Sequence, residues 1–341
     1  TTRALAAVTT GEHVYREIPL PGGVLTRVAA SHIRIGTFQF FAARGGVEKV
    51  RELADYSIAR HYPEATEADN PFLAFFKAVA ETQAALVAKW MHIAFIHGVM
   101  NTDNMTISGE TLDYGPCAFM DTYAPGTVFS SIDRQGRYAY GNQPAILSWN
   151  LTRLAEPLVP LVDPVKDKAV EMLTDVIQQV QPLYEKYWLA GMRSKLGLST
   201  EDPGDLDLVN DLLWVMKDGK ADFTLVFRRL SQELRGDLDT VRNLFDQSGA
   251  FEVWVRRWRK RLEQEGAVGE TCAQAMNRVN PIYIPRNHKV EEALTAAVYH
   301  GDMQPFSQLL EVLSHPFDEV AGNEAYAEPV PNPAYKTFCG T

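Results

Sequence analysis

The stretch His97-Gly98-Val99-Met100-Asn101-Thr102-Asp103-Asn104 decides how this chain is read, together with the residues that follow it as far as Asp113-Tyr114-Gly115. The first part is polar and contains a glycine, which predicts a loop. Met105–Ile107 and Thr111–Leu112 are brief strand-like pieces joined through Ser108-Gly109-Glu110, a pattern that predicts a tight hairpin. The hairpin carries an amide, Asn104, at one end and a carboxylate, Asp113, at the other. One amide carbonyl and one carboxylate make an oxygen pair suited to a hard divalent cation held against phosphate oxygens. Asp103, next to Asn104, is the only carboxylate in the loop.

Upstream of the loop, Phe72, Phe75, Phe76, Val79, Leu86, Trp90 and Ile93 recur at helical spacing. They predict one helix from Pro71 to about Ile96, with proline in its first turn. The helical period is expected from Val47 onward. Before it, Ala4–Thr9 and Val24–Ala30 read as strands, punctuated by turns at Gly11-Glu12 and Pro21-Gly22-Gly23. Downstream, residues 114–145 read as a long loop rich in Gly, Pro, Ser and aromatic residues, and such connections are usually functional. Helical pattern resumes at Ala145–Leu158. It continues through Val165–Leu198, Leu206–Lys217, Phe223–Leu234, Val241–Phe245 and Val290–Leu313, and Asn323–Thr341 is Pro-rich and expected to be extended.

Bulk numbers set outer bounds. The 341 residues are 46% hydrophobic and 22% charged, ordinary values for a folded protein with a substantial core. A formal charge of −10 argues against a general nucleic-acid binder, which needs clustered Lys and Arg. The basic run Arg256–Arg261 lies in a helix-like stretch, Phe251–Gln264, and reads as a solvated helix face rather than an anion site. No apolar run approaches the ~20 residues of a membrane helix, so no membrane partner is expected. Cys117, Cys272 and Cys339 form no CxxC pair and no zinc spacing, as expected in a reducing compartment. The opening Thr1-Thr2-Arg3-Ala4-Leu5 has no initiator Met and reads as a strand, so the chain is expected to be the interior of a longer protein.

Protein kinases place H-R-D-x-x-x-x-N on a loop after a long helix and follow it with D-F-G. Aligned on that pattern, His97 matches the histidine, Asn104 the metal-binding asparagine and Asp113 the D-F-G aspartate. Val99 stands where kinases carry the catalytic aspartate. That departure leaves two readings, a non-catalytic scaffold or a different chemistry. The bland alternative, less favoured even without any family, makes His97 a packed structural histidine, Asp103 a turn residue and Asp113 a strand-end cap.

The motifs around this loop resemble those of the selenoprotein O (YdiU) family. They are His97-Gly-Val-Met-Asn-Thr-Asp-Asn-Met, Leu112-Asp-Tyr-Gly-Pro, Gln135-Gly-Arg-Tyr, Asn142-Gln-Pro-Ala and Trp149-Asn-Leu-x-Arg-Leu. Arg34-Ile-Gly-Thr-Phe-Gln-Phe near the start and Asn280-Pro-x-Tyr-x-x-Arg-Asn near the end belong to the same set. They occur in family order and span nearly the whole chain.

The resemblance implies an α+β, protein-kinase-like (pseudokinase) fold. Residues 1–30 would be the last strands of an N-lobe, 31–164 a mostly helical C-lobe with the catalytic loop and an activation-type segment, and 165–341 a helical C-terminal extension. It also implies a protein adenylyltransferase that binds ATP in a flipped orientation and moves AMP to Ser, Thr or Tyr hydroxyls of protein substrates, with Mg²⁺ or Mn²⁺. By motif, Asp103 would be the base, Asn104 and Asp113 would hold the metal, and Arg27, Arg34 and Asp113 would bind the nucleotide. Guanidinium groups suit charge spread over phosphoryl oxygens. Without the family, both arginines read as ion-pairing residues at a strand edge or helix start.

The family's glycine-rich segment, its nucleotide-pairing lysine and that lysine's glutamate are expected before residue 1, and Lys49 is not placed to stand in. A chain lacking them is expected to be nearly silent in catalysis. The resemblance further implies redox control at Cys339, paired in bacterial relatives with a cysteine at the position of Phe129; Cys117 is an alternative partner, and a free thiol is the simpler reading. The expected location is the bacterial cytoplasm, or the mitochondrion of a eukaryote. Two rivals stay open: phosphotransfer to a hydroxyl, which needs the same metal-holding pair, and a nucleotide-binding scaffold, suggested by Val99.

Overall fold

The two runs of small and β-branched residues at the start of the chain pair with each other. The computed structural model describes residues 3–15, 18–267 and 269–330. In it β1 (Arg3–Tyr15) and β2 (Pro19–Val28) are antiparallel, with Ala4 opposite Arg27 and Val8 opposite Val24. Both glycine-bearing punctuation marks lie inside strands rather than at turns. Gly11, at φ 76°, sits in the irregularity between Thr9 and His13, the kind of bulge that glycine allows. Pro21 pairs with His13, and a Cβ on Gly22 would stand 2.8 Å from Thr10 Oγ1, so glycine marks a close approach of the opposite strand.

A helix that periodicity did not reveal follows at once: α1 (Ile35–Arg44), then α2 (Gly46–His61). The aromatic run Phe38-Gln39-Phe40-Phe41 is ambiguous in sequence. The helix is started by Thr37, whose hydroxyl accepts the Arg34 N–H at 3.1 Å. Gly46, at φ 73°, turns the chain between the two helices. α3 (Pro71–His92) is the expected long helix, ended early where Ala94 adopts φ 57°. With 22 residues it is long and apolar enough to cross a membrane. Its Phe75, Phe76, Val79, Ala84 and Val87 are nevertheless buried within the protein, as in a core helix.

The remaining elements are β3 (Phe95–Ile96), β4 (Ala118–Phe119) and a series of helices. These are α4 (Gln143–Val162), α5 (Lys166–Gln178), α6 (Val180–Lys195), α7 (Asp205–Asp218), α8 (Phe223–Glu233) and α9 (Asp239–Arg242). They continue with α10 (Gly249–Glu265), α11 (Glu270–Val279), α12 (Asn287–His300), α13 (Gln304–Ser314) and α14 (Glu324–Ala327). The architecture is α+β, dominated by helices. The single stretch expected over Val165–Leu198 is two helices broken at Gln179; Pro182 falls in the first turn of the second, where its missing N–H costs nothing. α4 continues through Pro157 and Pro160 to Val162.

The chain divides into two compact units. One comprises Thr1–Leu86, Met100–Tyr114 and Leu147–Gln181; Ile35, Phe38, Phe75, Phe76 and the stripe Leu147, Leu151, Leu154 and Leu158 are buried there. The other comprises Val87–Val99, Gly115–Ile146 and Pro182–Thr341. Trp254 and Trp258 stack at 5.8 Å in its core and donate to the Leu208 and Leu196 carbonyls. Part of the basic run on α10 is engaged in ion pairs rather than merely solvated. Arg257 pairs with Asp211, Arg259 with Glu233, and Arg261 with buried Asp205 and with Glu265.

Candidate active site

The loop from His97 to Asn104 is held by buried polar groups. The His97 ring is buried 5.4 Å from Trp90, and its Nδ1 accepts the Val99 N–H at 3.3 Å. The His97 N–H donates to Gln143 Oε1 at 3.0 Å, while Gln143 Nε2 donates to the Phe95 carbonyl at 3.0 Å. His97 therefore shapes the loop from the inside. Gly98 adopts φ 84°, and a Cβ there would come within 2.7 Å of the Pro116 carbonyl oxygen, so both backbone and space demand glycine.

Past the midpoint, the Asn150 side chain donates to the Met100 carbonyl at 2.8 Å. Asn101 Oδ1 accepts the Asp103 N–H at 2.9 Å, an Asx turn that starts the 3-10 turn Thr102–Asn104.

The hairpin forms around the pair Met105–Thr111, tied across by Thr106 Oγ1, which donates to the Glu110 carbonyl at 2.9 Å. A third segment lies alongside. Arg34 pairs with Thr106, Ile35 N–H donates to the Met105 carbonyl at 2.9 Å, and Ile107 N–H donates to the Ile33 carbonyl at 3.1 Å. Gln83 and Tyr62 donate to the Thr106 and Ile107 carbonyls from beneath. The middle strand of this small ladder is thus pinned to the core, the rigid support that a site needs.

The ladder draws four of the five expected residues together in the backbone. Asp103 and Asn104 enter the hairpin, Asp113 leaves it on the other leg, and Arg34 sits on the neighbouring segment at the N-terminus of α1. Asn104 is buried, Asp113 and Arg34 are half-buried, and Asp103 is exposed. Asp113 adopts φ 64°, a left-handed conformation uncommon for a residue other than glycine and concentrated at functional sites. Asp103 abuts Gly36 of α1: a Cβ on Gly36 would overlap Asp103 Oδ1 and stand 3.0 Å from its Cγ. Among the described residues, the Asp103 carboxylate makes no hydrogen bond or ion pair. The fifth residue, Arg27, lies half-buried on β2 opposite Ala4. The chain between β2 and α1 is anchored at the hairpin, where the Ala30 N–H donates to Glu110 Oε2 at 2.7 Å.

Among the described residues, no three His, Cys, Asp or Glu side chains cluster as a metal-holding group. Asn104 and Asp113, an amide and a carboxylate on the two legs of the hairpin, offer oxygen donors of the kind a hard divalent cation takes. Of the cysteines, Cys117 is half-buried in the loop after Asp113, Cys272 is buried, and Cys339 lies outside the described residues.

Sequence reasoning gave no role to Gln143, Asn150 or Gly36, although all three lie within the quoted motifs. The signal for the first two was available. They are amides on the same stripe of α4 as Leu147, Leu151 and Leu154, and a polar residue on an apolar stripe calls for a buried partner. The motif near the end of the chain is likewise a clamp. Asn280 donates to the Lys195 carbonyl at 2.9 Å, and Asn287 Nδ2 donates to the Phe119 carbonyl at 2.9 Å.

The sequence profile of the family described as Protein adenylyltransferase SelO matches residues 1–314. Protein nucleotidyltransferase YdiU of Rhizobium meliloti (strain 1021) is 58% identical over 346 residues, an alignment covering 100% of this chain and 70% of the relative. Protein nucleotidyltransferase YdiU of Cereibacter sphaeroides (strain ATCC 17029 / ATH 2.4.9) is 59% identical over 345 residues, with the same coverage of 100% and 70%. Its namesake in Rhizobium leguminosarum bv. trifolii (strain WSM2304) is 57% identical over 346 residues, covering 100% of this chain and 69% of the relative.

Proposed function

The chain belongs to the SelO family, and on that premise we propose that it is a nucleotidyltransferase of kinase-like fold that moves AMP from ATP to Ser, Thr or Tyr hydroxyls of proteins. The observation that carries this reading is the ladder that gathers Asp103, Asn104, Asp113 and Arg34 at one end of a pinned hairpin. A scaffold has no need of an unpartnered carboxylate beside two metal-suited oxygens, and Val99 removes the base that an ordinary kinase would use.

In the proposed reaction an acceptor hydroxyl oxygen attacks the α-phosphorus of ATP. The bond from that phosphorus to the oxygen bridging toward the β-phosphate breaks, and pyrophosphate leaves. Asp103, exposed and with no partner among the described residues, takes the hydroxyl proton. Asn104 and Asp113 would hold Mg²⁺ or Mn²⁺, which when bound supplies neutralisation of phosphate charge. Arg34 and Arg27 are assigned to phosphoryl oxygens, where a guanidinium can donate two parallel hydrogen bonds.

The test gives the full-length protein ATP labelled separately on the α- and γ-phosphates, with candidate protein acceptors. Protein-bound label from the α position alone supports AMP transfer. Label from the γ position identifies a kinase, and label from neither identifies a scaffold.

A further inference from the structure

We propose that Gly36 is a positioning residue for Asp103: its missing side chain is what lets the Asp103 carboxylate stand against the N-terminal turn of α1. The inference rests on the reading of Asp103 as the base. Gly36 is the second residue of α1, a place where glycine is a poor choice for helix stability. Its backbone does not demand glycine either, since it is helical and absent from the positive-φ residues. What demands it is space. The atoms nearest to a Cβ built at Gly36 are Asp103 Oδ1, Asp103 Cγ at 3.0 Å and the Thr102 carbonyl carbon at 3.4 Å.

The obstacle is therefore mostly a carboxylate on a short, rotatable side chain. An alanine at position 36 leaves the helix a way to form, namely by turning Asp103 aside. The fold then survives and the base is misplaced. The ladder fixes this outcome, because the Ile35 N–H is bonded to the Met105 carbonyl and Arg34 is paired with Thr106, so α1 cannot slide away from the loop. A displaced general base lowers the rate of proton transfer without removing nucleotide contacts, and misplacement on the order of 1 Å costs about 10²-fold.

Four forms of the full-length protein test this: unchanged, Gly36→Ala, Asp103→Ala and the double variant. Single-turnover transfer from α-labelled ATP, ATP affinity by calorimetry, and thermal unfolding are measured for each. Gly36→Ala is expected to lower transfer by about 10²-fold, to keep ATP affinity within about twofold, and to melt no lower than the unchanged protein. In the Asp103→Ala background the same substitution is expected to cause no further loss, because two residues acting as one unit are not additive.

Transfer by Gly36→Ala within about threefold of the unchanged protein overturns the inference, as does an equal loss in both backgrounds. A lower melting temperature in both Gly36→Ala forms also overturns it, since the obstacle would then not be the Asp103 side chain. Undiminished transfer by Asp103→Ala alone is a different failure: it removes the base assignment itself, and the single variant reveals it.

Discussion

Arg286 and Asp222, both buried, meet through Nη1 and Oδ2 at 2.6 Å, and the same nitrogen reaches Asp121 Oδ1 at 2.7 Å. The guanidinium also donates to the Ala327 carbonyl. Burial works against the Arg286 charge, but Asp222 and then Asp121 outweigh it and hold the group protonated. One arginine from the terminal motif thus ties the start of α8, the segment after β4 and α14 together.

Arg286→Met is expected to cost about 3–5 kcal/mol, because it leaves the Asp222 carboxylate buried without a counter-charge. Replacing both partners, Arg286→Met with Asp222→Asn, which keeps the oxygen that accepts the Leu225 N–H at the start of α8, should recover much of that loss. Urea unfolding of the three forms checks it. Equal destabilisation by the single and double variants would mean that the pair is not the source of the effect.

Asp113 and Asp103 should separate in their effects. Asp113→Ala is expected to weaken metal-dependent ATP binding by at least tenfold while leaving the fold intact, as a lost metal ligand would. Asp103→Ala is expected to lower transfer by about 10²–10⁴-fold with ATP affinity nearly unchanged, as a lost general base would. Calorimetric titration with ATP and Mn²⁺, beside rate measurements, checks both. An Asp103→Ala protein that loses binding as severely as Asp113→Ala would make Asp103 a metal ligand instead.

Glu265 supplies a pH-dependent contribution to stability. Burial alone would raise its carboxyl, but hydrogen bonds from the Thr200 and Ser199 side chains and N–H groups prevail and hold it at about 2. A carboxyl lowered on folding adds stability above its ordinary value near 4.5, and that stability is lost as the pH falls toward about 2. Glu265→Gln is therefore expected to be less stable at pH 7 by on the order of 1–2 kcal/mol. The gap between the two proteins should close as the pH falls from about 4.5 to about 2. A gap that stays constant over that range would contradict the assignment.

The residues to which chemistry is assigned lie in one short string, so the sequence alone could single them out. Asp103, Asn104 and Asp113 stand out by type and spacing alone, and α3 by its apolar period. Arg34 gained a role only through the family resemblance, and the structure gives it a position, beside Thr106. What stayed hidden depends on contacts between distant parts of the chain. Gly36 is glycine because of Asp103, and Asn150 is asparagine because of the Met100 carbonyl. No local pattern encodes either. The Pro21-Gly22-Gly23 run misled for the same reason, since its glycine answers to Thr10 across the sheet rather than to a turn.

The balance of products tests the central claim most directly. With ATP, Mg²⁺ or Mn²⁺ and a protein acceptor, pyrophosphate and ADP are quantified together with the group retained on the acceptor, for the unchanged protein and for Asp113→Ala. The expected result is one pyrophosphate released for each adenylyl group found on a Ser, Thr or Tyr, with neither product formed by Asp113→Ala. Release of ADP matched by phosphoryl groups on the acceptor would contradict it.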